Sequence, residues 1–216
     1  MAIISNFYCT DSKSGADFNN PFTSVDSATA PNPSVPAAPF ALGERAQGNA
    51  GSEWVFVRAS ATVSAFNLVA INKDYRAINL TTALPASNIY TFGIAQFQPR
   101  GGVTSGNANG GVVNTDDYFW ALVKCAQGAR VNATVSATMT VATQLYISGS
   151  HPGYVVGSAS MPTSASPGGG RLNGMFMAGA VVEALSGTTP TAIEIGMFSY
   201  IMPGVIVSAY PISTTA

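Results

Sequence analysis

From Glu53 onward the chain is written in short runs of β-branched and aromatic residues punctuated by Gly, Pro, Asn, Asp and Ser. That texture constrains the fold more than any other feature, because such runs suit a pleated surface. Strands are expected at 53–59, 66–71, 75–81, 91–97, 117–126, 129–138, 143–148, 152–156, 174–185, 191–201 and 204–210. A helix is conceivable only over 174–185, where Gly179 and the pair Val181–Val182 disfavour it. The expected fold is all-β, an antiparallel β-sandwich or barrel.

Two of these runs carry more detail. Residues 118–125 are apolar on both faces, whereas Val131, Ala133, Val135 and Ala137 alternate with Asn132, Thr134, Ser136 and Thr138. The first pattern predicts a strand buried on both sides, the second a half-buried strand. The Gly-containing stretch between them predicts an antiparallel hairpin. The pentapeptide Ala61–Ala65, ATVSA, recurs at Ala133–Ala137. A duplicated supersecondary unit would produce it; two copies fall short of a solenoid, and coincidence of β composition is the preferred reading.

The segment before the strands has another character. Residues 10–41 are rich in Pro, Ser, Asp and Asn, with Phe18, Phe22 and Phe40 scattered along them and no period of two or 3.6. They read as an N-terminal arm, 1–41, preceding a β domain over 42–216, whose residues after about 150 form a separate lobe or an extension. Either the phenylalanines anchor the arm to a neighbouring subunit or the arm is a solvated tail. On the first reading, deletion of 1–41 leaves a folded domain with weakened attachment.

Composition narrows the function. Charged residues make up 9% of the chain, against roughly 25% in an ordinary soluble domain. A surface of small neutral residues fits a protein that lives packed against other chains. The net charge of −1 provides no field to attract nucleic acid or an anionic membrane. Cys9 and Cys125 sit in contexts too different to predict a disulfide. The start of the chain lacks a secretion signal and no apolar run reaches bilayer length, so synthesis in a cytoplasm is expected.

Chemistry-bearing patterns are scarce. His151 is the sole histidine and lies in a turn before a proline, with no nucleophile elbow beside it. Asp116 and Asp117 are adjacent at a strand entrance, where their side chains diverge. Glu183 and Glu194 lie among apolar residues and read as carboxylates at an edge or a subunit contact. The Gly-rich stretches 100–113 and 166–171 lack the Lys-Ser/Thr ending of a phosphate loop. The sequons at Asn79 and Asn132 fall in expected strands. No catalytic residue, metal site or cofactor is expected.

The stretch 42–60, with Leu42, Gly43, Arg45, Gly48, Gly51 and the strand Glu53-Trp54-Val55-Phe56-Val57, resembles the start of the capsid decoration, or cement, proteins of tailed bacteriophages. The similarity extends through 92–97 and 117–137, about half of the chain; the long arm and the residues after about 150 depart from the compact family pattern. The resemblance implies a structural virion protein, made in the host cytoplasm, that binds the outer surface of an expanded capsid and cements or decorates it. Its implied partners are the major capsid protein and further copies of itself in a trimer, without nucleic acid or membrane. Capsid- or subunit-contact candidates are Phe18, Phe22, Phe40, Arg45 and Glu53. The alternatives are a head or tail fibre component and a carbohydrate-binding β-sandwich; for the latter, Trp54 and Trp120 are expected in the core rather than on an exposed platform.

Overall fold

Strand-forming runs closed by Gly, Asn and Asp turns produce thirteen strands among the described residues. The computed structural model describes residues 7–22, 38–81, 91–97, 112–125, 128–133, 144–157, 171–177 and 191–197, with Leu172 the only side chain described after Val156. The strands are β1 (Arg45–Gly48), β2 (Ser52–Ala59), β3 (Val63–Ser64), β4 (Leu68–Ile71), β5 (Arg76–Asn79), β6 (Thr91–Ile94) and β7 (Val112–Val113). There follow β8 (Tyr118–Lys124), β9 (Ala129–Ala133), β10 (Gln144–Ile147), β11 (Val155–Gly157), β12 (Arg171–Met177) and β13 (Thr191–Met197). The described residues contain no α-helix, only a 3₁₀ turn over Asn49–Gly51. The chain is all-β, and residues 171–177 are strand rather than helix. The expected strand at 204–210 lies outside the described residues.

The strands close into two rings. In the first, β2 pairs with β5 in parallel, and β5–β4, β4–β6, β6–β8 and β8–β2 are antiparallel. In the second, β9 pairs with β11 in parallel, and β11–β10, β10–β12, β12–β13 and β13–β9 are antiparallel, forming a closed barrel. Ranked by position along the chain, the two connectivities are the same: first strand to third in parallel, then third to second, second to fourth, fourth to fifth and fifth back to first. β1 is an addition that forms a hairpin with β2, and β3 and β7 make a separate two-stranded ladder.

Two expectations change here. The hairpin predicted between 117–126 and 129–138 does not form: both edges of β8 are taken, by β2 and β6, while β9 opens the second ring. The expected all-antiparallel pairing is also broken by the parallel pair in each ring. The first copy of the ATVSA repeat begins two residues after the end of β2, while its second begins on Ala133, the last residue of β9, and continues outside the described residues. The shared connectivity of the two rings favours duplication over coincidence of composition.

Alternation sorts the first ring's side chains into two clusters. Val55, Val57, Val69, Ile71, Ala77, Phe119, Ala121 and Val123 pack together on one face. The positions are small where the ring is tight; a Cβ placed on Gly93 would stand 3.2 Å from that of Ala121. The opposite face carries Trp54, Phe56, Leu68, Ile94, Trp120 and Leu122, in one continuous core with Val131, Leu145, Ile147, Val155 and Leu172 of the second ring. β8 is therefore buried on both sides, as its apolar run predicts, and β9 alternates buried Ala129, Val131 and Ala133 with half-buried Arg130 and Asn132.

Candidate functional site

Beyond the ring, the outer aromatic face of β2 and β8 is what the leader covers. Phe18, 2% exposed, stacks on Trp54 with ring centres 4.4 Å apart and meets Trp120 edge-on at 5.7 Å. Phe7 adds an edge contact to Trp54 at 5.1 Å. Phe22 and Phe40 meet each other and both reach Phe56. Offset and edge-on pairs of this kind add to the area they bury. Of the three phenylalanines named as contact candidates, Phe18 is buried in the chain's own core and Phe22 and Phe40 are half-buried against it, so these described parts of the leader are not a solvated tail. Residues 1–6 and 23–37 lie outside the described residues.

A polar latch fixes the same leader along β1. The Asp11 carboxylate accepts hydrogen bonds from the Cys9 thiol at 2.8 Å, from Lys13 N–H at 3.1 Å and from Gln47 N–H at 2.9 Å. Thr10 N–H donates to Gln47 O at 2.9 Å, and the Lys13 ammonium pairs with Glu44 at 2.5 Å. The Cys9 hydrogen bond, helped by the two backbone N–H groups, holds the Asp11 carboxyl below its ordinary range. Lys13 does the same for Glu44, while burial, then the hydrogen bond to Asp11, pushes the Cys9 thiol up. Depressed carboxyls contribute stability above their unfolded pKa that is lost as pH falls through the folded one; a raised thiol contributes stability that is lost as pH rises. The leader should therefore loosen below about pH 4. Acid titration of tryptophan fluorescence checks this, since both tryptophans of the chain, Trp54 and Trp120, lie under Phe18. Asp11→Asn should already shift the emission at neutral pH, and an acid-insensitive spectrum would remove the latch.

The stretch that carries the family resemblance is built around one close approach. Gly43 has φ +82, and a Cβ there would collide with the ring of Tyr75; no residue with a side chain meets both demands. Gly43 N–H and Glu44 O then bond to Phe56, which extends the β1–β2 hairpin. Arg45 is exposed on β1, opposite Val55. Glu53 is half-buried on β2 and pairs with Lys124 across the β2–β8 ladder at 2.6 Å. The structure thus brings Phe18, Phe22 and Phe40 together and leaves Arg45 and Glu53 apart from them on strand surfaces.

Between the rings runs a seam of side-chain amides that sequence reading missed. Asn67, 3% exposed, donates to Asn79 Oδ1 at 3.0 Å and accepts from Asn132 Nδ2 at 2.7 Å. Asn132 also donates to Ala65 O at 2.8 Å, and Asn79 to Thr62 O at 3.0 Å. Gln96 donates to Arg130 O and accepts from Arg130 N–H, so that its amide stands where a neighbouring strand would. Both sequon asparagines are thereby committed to internal hydrogen bonds. The signal available in sequence was the polar face of β9, which needs partners if it is half-buried.

Reactive chemistry finds no assembly among the described residues. His151 is exposed in its turn and its Nδ1 lies 2.8 Å from Ser150 Oγ. Asp116 and Asp117 lie in the turn before β8 rather than in a strand, Asp116 at φ 72; Asp116 pairs with Arg58 at 2.8 Å, while Asp117, 6% exposed, accepts from Asn114 N–H. Glu194 sits in β13 opposite Arg130, and Glu183 lies outside the described residues. Cys9 is half-buried and Cys125 is buried. No group of three or more His, Cys, Asp or Glu among the described residues could hold a metal ion, and no described helix is long and apolar enough to cross a membrane. Trp54 and Trp120 are buried, so they form no exposed platform for a sugar. Comparison with known protein families, with curated proteins and with solved structures finds no match to this chain.

Proposed function

We propose that this chain is a structural virion protein that binds the outer surface of a phage capsid and cements or decorates it. The observation that carries the reading is the stretch Leu42–Val57, whose family-like residues act as one unit: Gly43 receives Tyr75, Glu53 ties the hairpin to β8, and Trp54 and Phe56 seat the leader. The shortage of charge supports it too, since neutral surface suits permanent association. The partner is the major capsid protein, and a trimer of this chain joins several weak contacts into firm attachment through effective concentration. Sites that exist only after neighbouring capsid subunits have moved make binding specific for the expanded shell. No catalytic step, nucleic acid or membrane enters the reading.

Purified protein mixed with expanded empty heads and with unexpanded precursors tests it. Electron microscopy should show added density on expanded heads alone, and light scattering should return a trimer. Equal decoration of both shells removes the maturation dependence. Failure to bind either overturns the proposal.

A further inference from the structure

With Phe18 buried and Phe22 and Phe40 half-buried against the core, the turn joining β4 to β5 stands out as an exposed surface. Asn72 Oδ1 accepts from Asp74 N–H at 3.0 Å and Arg76 N–H at 2.9 Å, and its backbone bonds to Tyr75 and Arg76 close the turn. Tyr75 O accepts from Arg58 N–H at 3.0 Å. Held this way, Tyr75 adopts φ 56, a left-handed conformation that a bulky residue seldom takes. Strain of this kind persists where the surroundings enforce it and gathers at functional positions. The ring lies over Gly43 and is 40% exposed, beside Leu42 at 39%, two of the few large apolar side chains exposed among the described residues.

The charges around this apolar pair are equally unusual. The whole chain has nine Lys and Arg residues, and Lys73 and Arg76 flank Tyr75, both exposed and neither ion-paired among the described residues. Arg76 also lies opposite Arg58 in the parallel β2–β5 pairing, an arrangement of like charges that costs stability. Arg58 is neutralised by Asp116 and rests over the Tyr118 ring; Arg76 is not. Asp74 is the one acid in the turn, and Glu44 is tied to Lys13.

We propose that Tyr75, Leu42, Lys73 and Arg76 form a docking surface for a protein face that presents carboxylates around an apolar hollow, the hollow taking the Tyr75 ring and the carboxylates pairing with the two cations. Tyrosine and arginine at the centre of a contact are the side chains that dominate binding. A second copy of this chain is a poor match, because the other acids whose side chains are described each have a partner: Asp11 has Cys9, Asp17 has Asn19 and Asn20, Glu44 has Lys13, Glu53 has Lys124, Asp116 has Arg58 and Asp117 has Asn114. The proposal rests on the capsid reading and assigns the acidic face to the assembled shell.

Full-length Tyr75→Asn, chosen because asparagine tolerates the left-handed backbone, and a Lys73→Glu/Arg76→Glu pair are titrated against expanded heads in a cosedimentation series of rising salt. Thermal melts confirm that each variant is folded. Both variants should bind at least about tenfold more weakly, and the charge-reversed one should lose the salt dependence of the unaltered protein. Folded variants that bind as well as the original overturn the docking surface and leave the capsid reading standing. If the original protein ignores heads, the capsid reading falls and this proposal with it. Variants that keep head binding but lose self-association identify a second copy as the occupant, which also overturns it.

Discussion

Phe18→Ala is expected to lower the unfolding free energy by about 3–5 kcal/mol, the range for truncating a fully buried aromatic. Phe18 stacks on Trp54 and meets Trp120 edge-on while only 2% exposed, so the variant opens a cavity between two tryptophans. For a chain of this size each kcal/mol is worth about 2–4 °C of melting temperature, which makes the loss easy to read by calorimetry or urea unfolding. A loss below about 1 kcal/mol would show that the leader is not part of the core. Deleting residues 1–41 removes Phe7, Phe22 and Phe40 as well and should cost the fold itself, given total stabilities of about 5–15 kcal/mol. The expectation that such a truncation weakens attachment alone gives way to this one.

The second large effect is expected at the seam between the rings. Asn67→Ala leaves Asn79 Oδ1 without its donor and takes from Asn132 Nδ2 one of its two acceptors, and a buried polar group left without its partner costs about 1–3 kcal/mol. The variant should lose roughly 2–4 kcal/mol in all. A double-mutant cycle with Asn132→Ala isolates the pair, and a coupling energy of about 0.5–3 kcal/mol is the expected sign of residues in one network. Additivity within a few tenths of a kcal/mol would mean that the two rings are held by apolar packing alone. Gly153 belongs to this seam, because with φ +83 it brings the backbone so close to Asn67 that a Cβ would stand 2.6 Å from Nδ2.

Strand positions were readable because β2, β4, β8 and β9 announce themselves locally, by β-branched and aromatic runs or by clean alternation. Their pairing was not. Neighbours in sequence usually neighbour in space, and that rule suggested a hairpin from β8 to β9; ring closure defeats it, because the partners that fill the edges of β8 come from β2 and β6. The leader was opaque for a different reason. Phe18, Phe22 and Phe40 lie in chain without a period, so nothing local says whether an aromatic side chain will meet its own barrel or another protein. Among the site features, Gly43 was visible as part of a motif, but its cause is the Tyr75 ring, far along the chain. The short strands β1, β3 and β7 were missed because two to four residues carry too little pattern to detect.

Ring closure also bears on which strand flanks are left bare. Electrostatic repulsion offers little protection to a protein with net charge −1, and a strand with a bare flank is a template for intermolecular β pairing. In both rings every strand has a neighbour on either side, and Thr10 and Asp11 occupy the outer flank of β1. Closure therefore removes amyloid-like templates from the strands of both rings without calling on charge.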